Sequence, residues 1–169
     1  KIQMKIQVDE NITLEFLQEI HAESLFNVVY SNREYLREWL PWVDNMQTVA
    51  NFSHYISDSK KRAAEKTDFG FAIILDKNII GRIGMHHINQ QNKIGEIGYW
   101  LADGQQGKGI VTNCCMAMIK FGFTELQLNR IEIKCKKNMV GCHDFAARYS
   151  GFGCRDSHGS PCLEGLWAY

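Results

Sequence analysis

Apolar residues in the first part of the chain recur at helical spacing. Between residues 22 and 30 they follow the positions i, i+3, i+4 and i+7, which predicts a helix with one buried face: Ala22, Leu25, Phe26 and Val29. Asn32 is expected to cap a short second helix and Pro41 to end it, because the residue before a proline avoids helical angles. A longer amphipathic helix is predicted over 45–67, and 12–17 alternates loosely like an opening strand.

Three β-rich runs occupy the middle of the chain, over 69–75, 79–88 and 94–101, with short polar connections between them. Connections this short join antiparallel neighbours, since a parallel crossover needs about a dozen residues or more. A glycine-rich turn, a helical run and an alternating run at 130–135 follow, which predicts a right-handed crossover to a parallel strand. The expected fold class is therefore α/β of the α+β type: a single mixed, mostly antiparallel twisted sheet flanked by helices. Beyond Asn138 the pattern decays.

Length and composition fit one globular domain. The chain has 169 residues, 45% hydrophobic and 22% charged, so residues 1–169 are expected to form a single domain. No apolar run approaches the ~20 residues that span a bilayer, and residues 1–10 lack the apolar stretch of an export signal. We therefore expect a cytoplasmic protein with no membrane partner and with its six cysteines reduced. Lys1–Gln3 repeats as Lys5–Gln7 around Met4, which suggests Met4 as the natural start.

Charge balance and metal-ligand spacing bear on two other function classes. Nineteen lysines and arginines balance nineteen aspartates and glutamates, which argues against a direct nucleic-acid partner, since such proteins usually carry a basic surplus. A C-x11-C-x3-H-x3-C spacing near the C-terminus offers four zinc-compatible side chains: Cys142, Cys154, His158 and Cys162. The close cysteine pair of most structural zinc sites is missing, so no metal is expected. The alternative would make the tail a small metal-bound interaction module.

The most informative motif is the glycine-rich turn at 104–109, between a predicted strand and a predicted helix. Backbone N–H groups at such a junction, together with the helix dipole, favour an anion, and Lys108 adds a positive charge. A Walker A loop is excluded because Ile110 stands where a lysine is required, and the dinucleotide fingerprint fails at Thr112. Two interpretations of the turn alone remain open: an anion-binding cradle, or a plain tight turn into a helix.

The segment Gln106–Ile110, Gln-Gly-Lys-Gly-Ile, resembles the Q/R-x-x-G-x-G/A motif of the GNAT superfamily of acyl-CoA N-acyltransferases. Flanking segments at 37–44, 97–101 and 128–133 are similar to the branch of RimJ/RimL-type ribosomal-protein N-terminal acetyltransferases. The resemblance runs from about residue 5 to Asn138. It implies a GNAT-like fold and acetyl-CoA as the co-substrate.

The resemblance also implies which residues hold acetyl-CoA. The pantetheine arm is expected along the backbone of the strand that ends at Tyr99, Trp100 and Leu101, with Asn138 bonding the same arm. The diphosphate is expected on a run of backbone amides: Gln106, Gly107, Lys108, Gly109, Ile110 and Val111. Thr112 is expected to add a hydroxyl. Val111 stands where the family usually has glycine or alanine, so a branched side chain is expected to crowd the phosphates.

The implied reaction is attack of a neutral amine on the thioester carbonyl, which gives an N-acetyl product and free CoA. Glu96 is the candidate general base because it stands on the strand that would face the thioester; an exposed strand carboxylate is the alternative. Cys142 falls where the family often has a serine that protonates the leaving thiolate, and is the candidate proton donor. His86 and His87 alternate on one strand, so at most one can face the site, and packing or surface roles are favoured.

The resemblance implies that the acceptor is the N-terminal α-amine of a protein, with a ribosomal protein as the family's substrate, and that the enzyme self-associates. The family's acceptor-side strands fall within 139–169, which match the family poorly, so two alternatives stay open. One is a small-amine acetyltransferase that acts on a polyamine or a drug. The other is a CoA-binding or interaction module without turnover.

Overall fold

The structure is a computed structural model that describes residues 5–134 and 154–155. A single β-sheet forms the centre of this part of the chain. Within it, seven strands lie side by side in sequence order. Their bounds are β1 Lys5–Gln7, β2 Ile12–Phe16, β3 Phe69–Leu75, β4 Asn78–Asn89, β5 Ile94–Leu101, β6 Arg130–Lys134 and β7 Cys154–Arg155. Neighbours are antiparallel from β1 to β5, whereas β5–β6 and β6–β7 are parallel.

In the described part of the chain four α-helices flank the sheet: α1 Ala22–Ser31, α2 Arg33–Arg37, α3 Val49–Ala64 and α4 Ile110–Thr124. Short 3-10 turns at Glu19–His21 and Pro41–Asn45 precede α1 and α3. α4 is the crossover from β5 to the parallel β6, as predicted. The mixed, mostly antiparallel sheet with flanking helices is thereby confirmed.

The face of the sheet that carries α4 holds an aromatic core. Phe71 lies at its centre, with its ring centroid 5.4 Å from that of Phe121 on α4 and 5.8 Å from that of Phe16 on β2. Phe69 contacts the same Phe121 ring at 5.8 Å, and all these pairs meet edge to face, the arrangement that aromatic quadrupoles favour. This packing fixes α4, and with it the glycine turn that precedes α4, against the strands.

The opposite face is covered by α1 and α3. Leu25 of α1 and Phe52 and Ile56 of α3 are buried there against the sheet. Trp100 of β5 belongs to the same cluster, and its ring lies 6.3 Å from that of Trp42 in the second 3-10 turn. The segment from α1 to Trp42 therefore contacts the strand that leads into the glycine turn.

Two local predictions in the helical part need correction. Asn32 occupies the N-cap position of α2, as predicted, but its side chain makes no capping bond: its amide donates to the Val28 carbonyl oxygen at 2.7 Å, and its oxygen accepts from the Asp103 backbone N–H at 2.9 Å. The long helix begins at Val49 rather than near residue 45, because Thr48 and Asn51 form a reciprocal capping box that starts the helix there.

Cys114 and Cys115 are free thiols buried between α4 and the sheet. Burial raises the pKa of Cys114 to about 12 and raises that of Cys115 as well, so both stay protonated and act as small apolar side chains. None of the helices in the described part of the chain combines the length and the apolar character needed to cross a bilayer.

Candidate active site

The glycine turn has the geometry of an open cradle. Gly104, Gly107 and Gly109 have φ angles of 77°, 75° and 75°, in the left-handed region that side chains disfavour. A Cβ built on any of them meets nothing within 4 Å, so the surface over the turn is free. A ligand can therefore come close to the backbone at three points of this short loop.

The turn leads directly into the N-terminus of α4, where backbone N–H groups are available. The Asn113 N–H donates to the Gly109 carbonyl oxygen at 3.1 Å, so the amides of Ile110, Val111 and Thr112 come before the first helical bond. These amides and the positive end of the helix dipole favour a negatively charged group. The side chain of Val111 is partly buried and packs against the core.

Polar side chains anchor the turn on its protein side. The Gln106 side-chain amide donates to the Tyr35 hydroxyl at 2.7 Å and to the Ala102 carbonyl oxygen at 3.0 Å. Lys108, in contrast, is exposed, and its ammonium donates to the Gln105 side chain at 3.3 Å. Gln106 can thus offer an anion its backbone N–H, while its side chain is engaged elsewhere.

Strand β5 borders the turn and pairs in parallel with β6 along its first half. The parallel pairing runs from Ile94↔Arg130 to Ile97↔Ile133, and among the described residues it goes no further. Gly98 to Leu101 remain paired with β4 on their other side. The side chains of Trp100 and Leu101 are buried in the two cores, and Tyr99 packs against one of them. The groups that this stretch presents at its edge on the β6 side are therefore backbone N–H and C=O groups.

A row of glycines crosses the sheet beside this edge. Gly70, Gly84 and Gly98 are in register on β3, β4 and β5. A Cβ on Gly84 would lie 2.8 Å from the His86 ring, and one on Gly98 would lie 3.1 Å from it. The imidazole thus occupies the space that side chains on the row would fill.

His86 belongs to a partly buried polar cluster with Asp68 and Arg82. Its Nδ1 lies 2.6 Å from the Asp68 carboxylate, and its Nε2 lies 3.2 Å from a guanidinium nitrogen of Arg82. Because arginine can only donate, Nε2 accepts, and the proton sits on Nδ1 and is donated to Asp68. Burial lowers the pKa of His86 although Asp68 opposes this, so the ring is neutral at pH 7.

The Asp68 carboxylate is the negative centre of this cluster. Burial alone would raise the pKa of Asp68, but the His86 hydrogen bond and the charges of His86, Arg82 and Arg62 hold it below its usual value. Asp68 precedes β3 and carries no motif of its own.

On β5, Glu96 pairs with His86 of β4 on one side and with Glu132 of β6 on the other. The three side chains therefore lie on the same face of the sheet. This position is one residue before the last β5–β6 pair, Ile97↔Ile133. Glu96 therefore lies near the end of the described β5–β6 pairing. His87 is exposed, at a register shift of β4, with a φ of 48°. Its expected surface position is confirmed.

Other candidates lie beyond what the structure describes. Asn138 and Cys142 are outside the described residues, as are His158 and Cys162 of the alternative zinc set. Cys154 is described only as backbone, paired with Ile133 in β7. The cradle and the candidate base Glu96 are thus the parts of the site that the described residues contain.

Comparison with known proteins points to one family. A family model described as "Acetyltransferase (GNAT) domain" matches residues 11–141. The Bacillus subtilis protein named putative ribosomal N-acetyltransferase YdaF is 33% identical over 128 residues, which cover 75% of this chain and 70% of that protein. The Escherichia coli ribosomal-protein-serine acetyltransferase is 28% identical over 152 residues, 88% of this chain and 84% of that one.

A solved structure gives the same result in three dimensions. The microcin C7 self-immunity acetyltransferase MccE, crystallised with acetyl-CoA and AMP, superimposes with a TM-score of 0.75 at 26% identity. The match covers 85% of this chain and 79% of that one. Sequence and fold comparisons therefore agree with the resemblance carried by the glycine turn.

Proposed function

The chain belongs to the GNAT family of acetyltransferases and transfers the acetyl group of acetyl-CoA to an amine, and on that premise we propose that its acceptor is the N-terminal α-amine of a ribosomal protein. The names of two relatives, from Bacillus subtilis and Escherichia coli, refer to ribosomal acetylation. A ribosomal acceptor carries with it the prediction that the enzyme acts in the cytoplasm. Self-association also stays a prediction.

The single observation that carries the donor side is the open glycine turn. It has three glycines at positive φ, free space over them and the N-terminus of α4. A diphosphate can therefore approach its backbone from the solvent side. We infer that the diphosphate binds the backbone amides of residues 106–112. The pantetheine arm would then follow the β5 edge at Tyr99–Leu101, beyond the last pair with β6. Asn138 and Cys142 keep their proposed roles from the family pattern.

The chemistry favours an α-amine over a lysine. An α-amine, with a pKa of about 7.7–8.0, is roughly one-tenth neutral at pH 7, whereas a lysine at about 10.4 is neutral only a few times in ten thousand. An N-terminal acceptor therefore needs modest help from a base. Glu96, near the end of the described β5–β6 pairing, is the carboxylate proposed for this task.

An acceptor panel tests the proposal. Peptides with a free N-terminus that carry ribosomal-protein sequences are expected to show a kcat/KM at least about tenfold above that of the same peptides capped at the N-terminus with one internal lysine. CoA release measured with a thiol reagent, with mass spectrometry of the product, gives both the rate and the site. Faster turnover with spermidine than with every peptide would instead favour the small-amine alternative.

Removing the proposed base should change the pH profile. Glu96→Gln is expected to lower kcat/KM by on the order of 10²-fold, with the largest loss at low pH, where little acceptor amine is neutral. Glu132→Gln is the matched control, because Glu132 is the parallel-strand neighbour of Glu96 and is already paired with Arg130 at 2.7 Å. Profiles of equal shape for wild type and Glu96→Gln would remove Glu96 from this role.

A further inference from the structure

The joint between α1 and α2 is bonded to the glycine turn at two places. The Asn32 side-chain oxygen accepts from the Asp103 N–H at 2.9 Å, and the Tyr35 hydroxyl accepts from the Gln106 side-chain amide at 2.7 Å. Each bond joins residues that are 71 positions apart. The position of the turn thus depends on a helix joint far away in sequence.

The two bonded residues frame the start of the turn. Asp103 immediately precedes Gly104, and its carboxylate also accepts from the Gly104 N–H at 2.9 Å. Gln106 immediately precedes Gly107, and its side-chain amide also bonds the Ala102 carbonyl oxygen. Together these contacts hold the segment 102–106 against the helices before the free glycine backbone begins.

The side chains of Asn32 and Tyr35 are held in the orientation and the protonation state that these hydrogen bonds require. The Asn32 amide donates to the Val28 carbonyl oxygen at 2.7 Å, which fixes the orientation of the side chain and of the oxygen that accepts from Asp103. Burial, with the nearby charge of Asp103, raises the pKa of Tyr35, so its hydroxyl stays neutral. Both groups therefore keep their hydrogen-bonding role over the working pH range.

A glycine turn needs such support more than other loops do. Gly104, Gly107 and Gly109 have no side chain to pack, and a Cβ on any of them would meet nothing within 4 Å. Without other contacts the loop could therefore sample many conformations. A ligand that binds one of those shapes bears the entropy cost of ordering the loop, and contacts that order it beforehand raise affinity.

We propose that Asn32 and Tyr35 are positioning residues for acetyl-CoA, which hold the glycine turn in the shape that receives the diphosphate. This inference rests on the proposed binding of the diphosphate at that turn. Neither side chain touches the reacting atoms. Their substitution therefore weakens the binding of CoA compounds and leaves the transfer step itself unchanged.

The test uses the full chain and two donors. Tyr35→Phe removes only the accepting oxygen, and Tyr30→Phe is the matched control, since Tyr30 lies on α1 with 65% of its surface exposed. Tyr35→Phe is expected to raise the calorimetric Kd for CoA and the KM for acetyl-CoA roughly five- to tenfold, as for one lost hydrogen bond. Asn32→Ala should do the same, and kcat at saturating acetyl-CoA should stay within about twofold of wild type.

The second donor is S-acetylpantetheine, which carries the thioester without the diphosphate. Wild type and Tyr35→Phe should use it equally well. A variant that loses as much with this donor as with acetyl-CoA, or that loses kcat rather than affinity, overturns the positioning role. So does an unchanged Kd for CoA in both Tyr35→Phe and Asn32→Ala.

The two proposals can fail separately. If CoA binds wild type no better than pantetheine does, the diphosphate is not held at the turn, and the proposed donor site fails together with the inference. If Gly109→Trp loses CoA while Tyr35→Phe and Asn32→Ala keep it, the donor site stands and only the positioning role is rejected. Circular dichroism on every variant excludes loss of folding as the cause.

Discussion

Gly109→Trp is expected to lower the affinity for CoA at least about a hundredfold while α4 stays folded. The φ of 75° at Gly109 is strained for any side chain, at roughly 1–3 kcal/mol, so the backbone would shift away from the geometry that aligns the amides of α4. The indole would also fill the open space over the turn. Isothermal titration with CoA measures the loss, and thermal unfolding monitors the fold.

Lys108→Ala is the control for this variant. It removes the exposed charge within the turn but leaves the glycine backbone as it is, so only a several-fold loss of CoA affinity is expected at low salt. If Gly109→Trp bound CoA as tightly as wild type, the glycine turn could not be the diphosphate site.

Asp68→Asn is expected to lower the free energy of unfolding by about 2–3 kcal/mol. The change removes the anion from Arg82 and His86 in a cluster whose carboxylate is only 13% exposed. Loss of one partner from a wholly buried ion pair costs about 3–5 kcal/mol; the value here is smaller because asparagine can still accept from His86. Urea unfolding at pH 8 measures it. Asp58→Asn, which affects only the exposed pair with Lys61, should leave stability unchanged.

The same cluster should make the protein sensitive to acid. The folded-state pKa of His86 is lowered, first of all by burial, so below about pH 6.5 the unfolded chain binds the proton more readily. The pKa of Asp68 is also lowered, so its contribution is present above about pH 3.9 and is lost as the pH falls through the folded-state value. Both effects make the free energy of unfolding fall on acidification.

His86→Gln isolates the first of these effects. Its unfolding free energy should be flatter just below pH 6.5 than that of wild type, and the His54→Gln variant on the exposed side of α3 serves as the control. Parallel curves for wild type and His86→Gln would contradict the buried, neutral imidazole.

The sheet could be read from the sequence because its signals are local. The runs 69–75 and 94–101 match β3 and β5, and 79–88 falls one residue short of β4 at each end. Short polar connections correctly predicted the antiparallel pairs, and the glycine turn with its helix correctly predicted the parallel step to β6. Family membership and the acetyl donor, inferred from the same turn, are confirmed.

Other features depend on partners that are distant in sequence. Asn32 stands at the N-cap position of α2, yet its side-chain oxygen bonds Asp103, because the fold brings a backbone N–H that is distant in sequence within reach. The Asp68–His86–Arg82 cluster depends on the register that aligns glycines on three strands, which no single run reveals. The structure places Glu96 on β5 next to Glu132 of β6, but its catalytic role stays a prediction.

The row of Gly70, Gly84 and Gly98 couples substitutions at positions that are distant in sequence. Alanine at 98 would bring a methyl group to 3.1 Å from the His86 ring, so it requires either a shift of the ring by a few tenths of an ångström or a smaller residue at 86. A smaller residue at 86 would deprive Asp68 of its nearest hydrogen-bond donor. Substitutions in this region are therefore coupled, and we expect positions 68, 86 and 98 to covary among descendants of this enzyme.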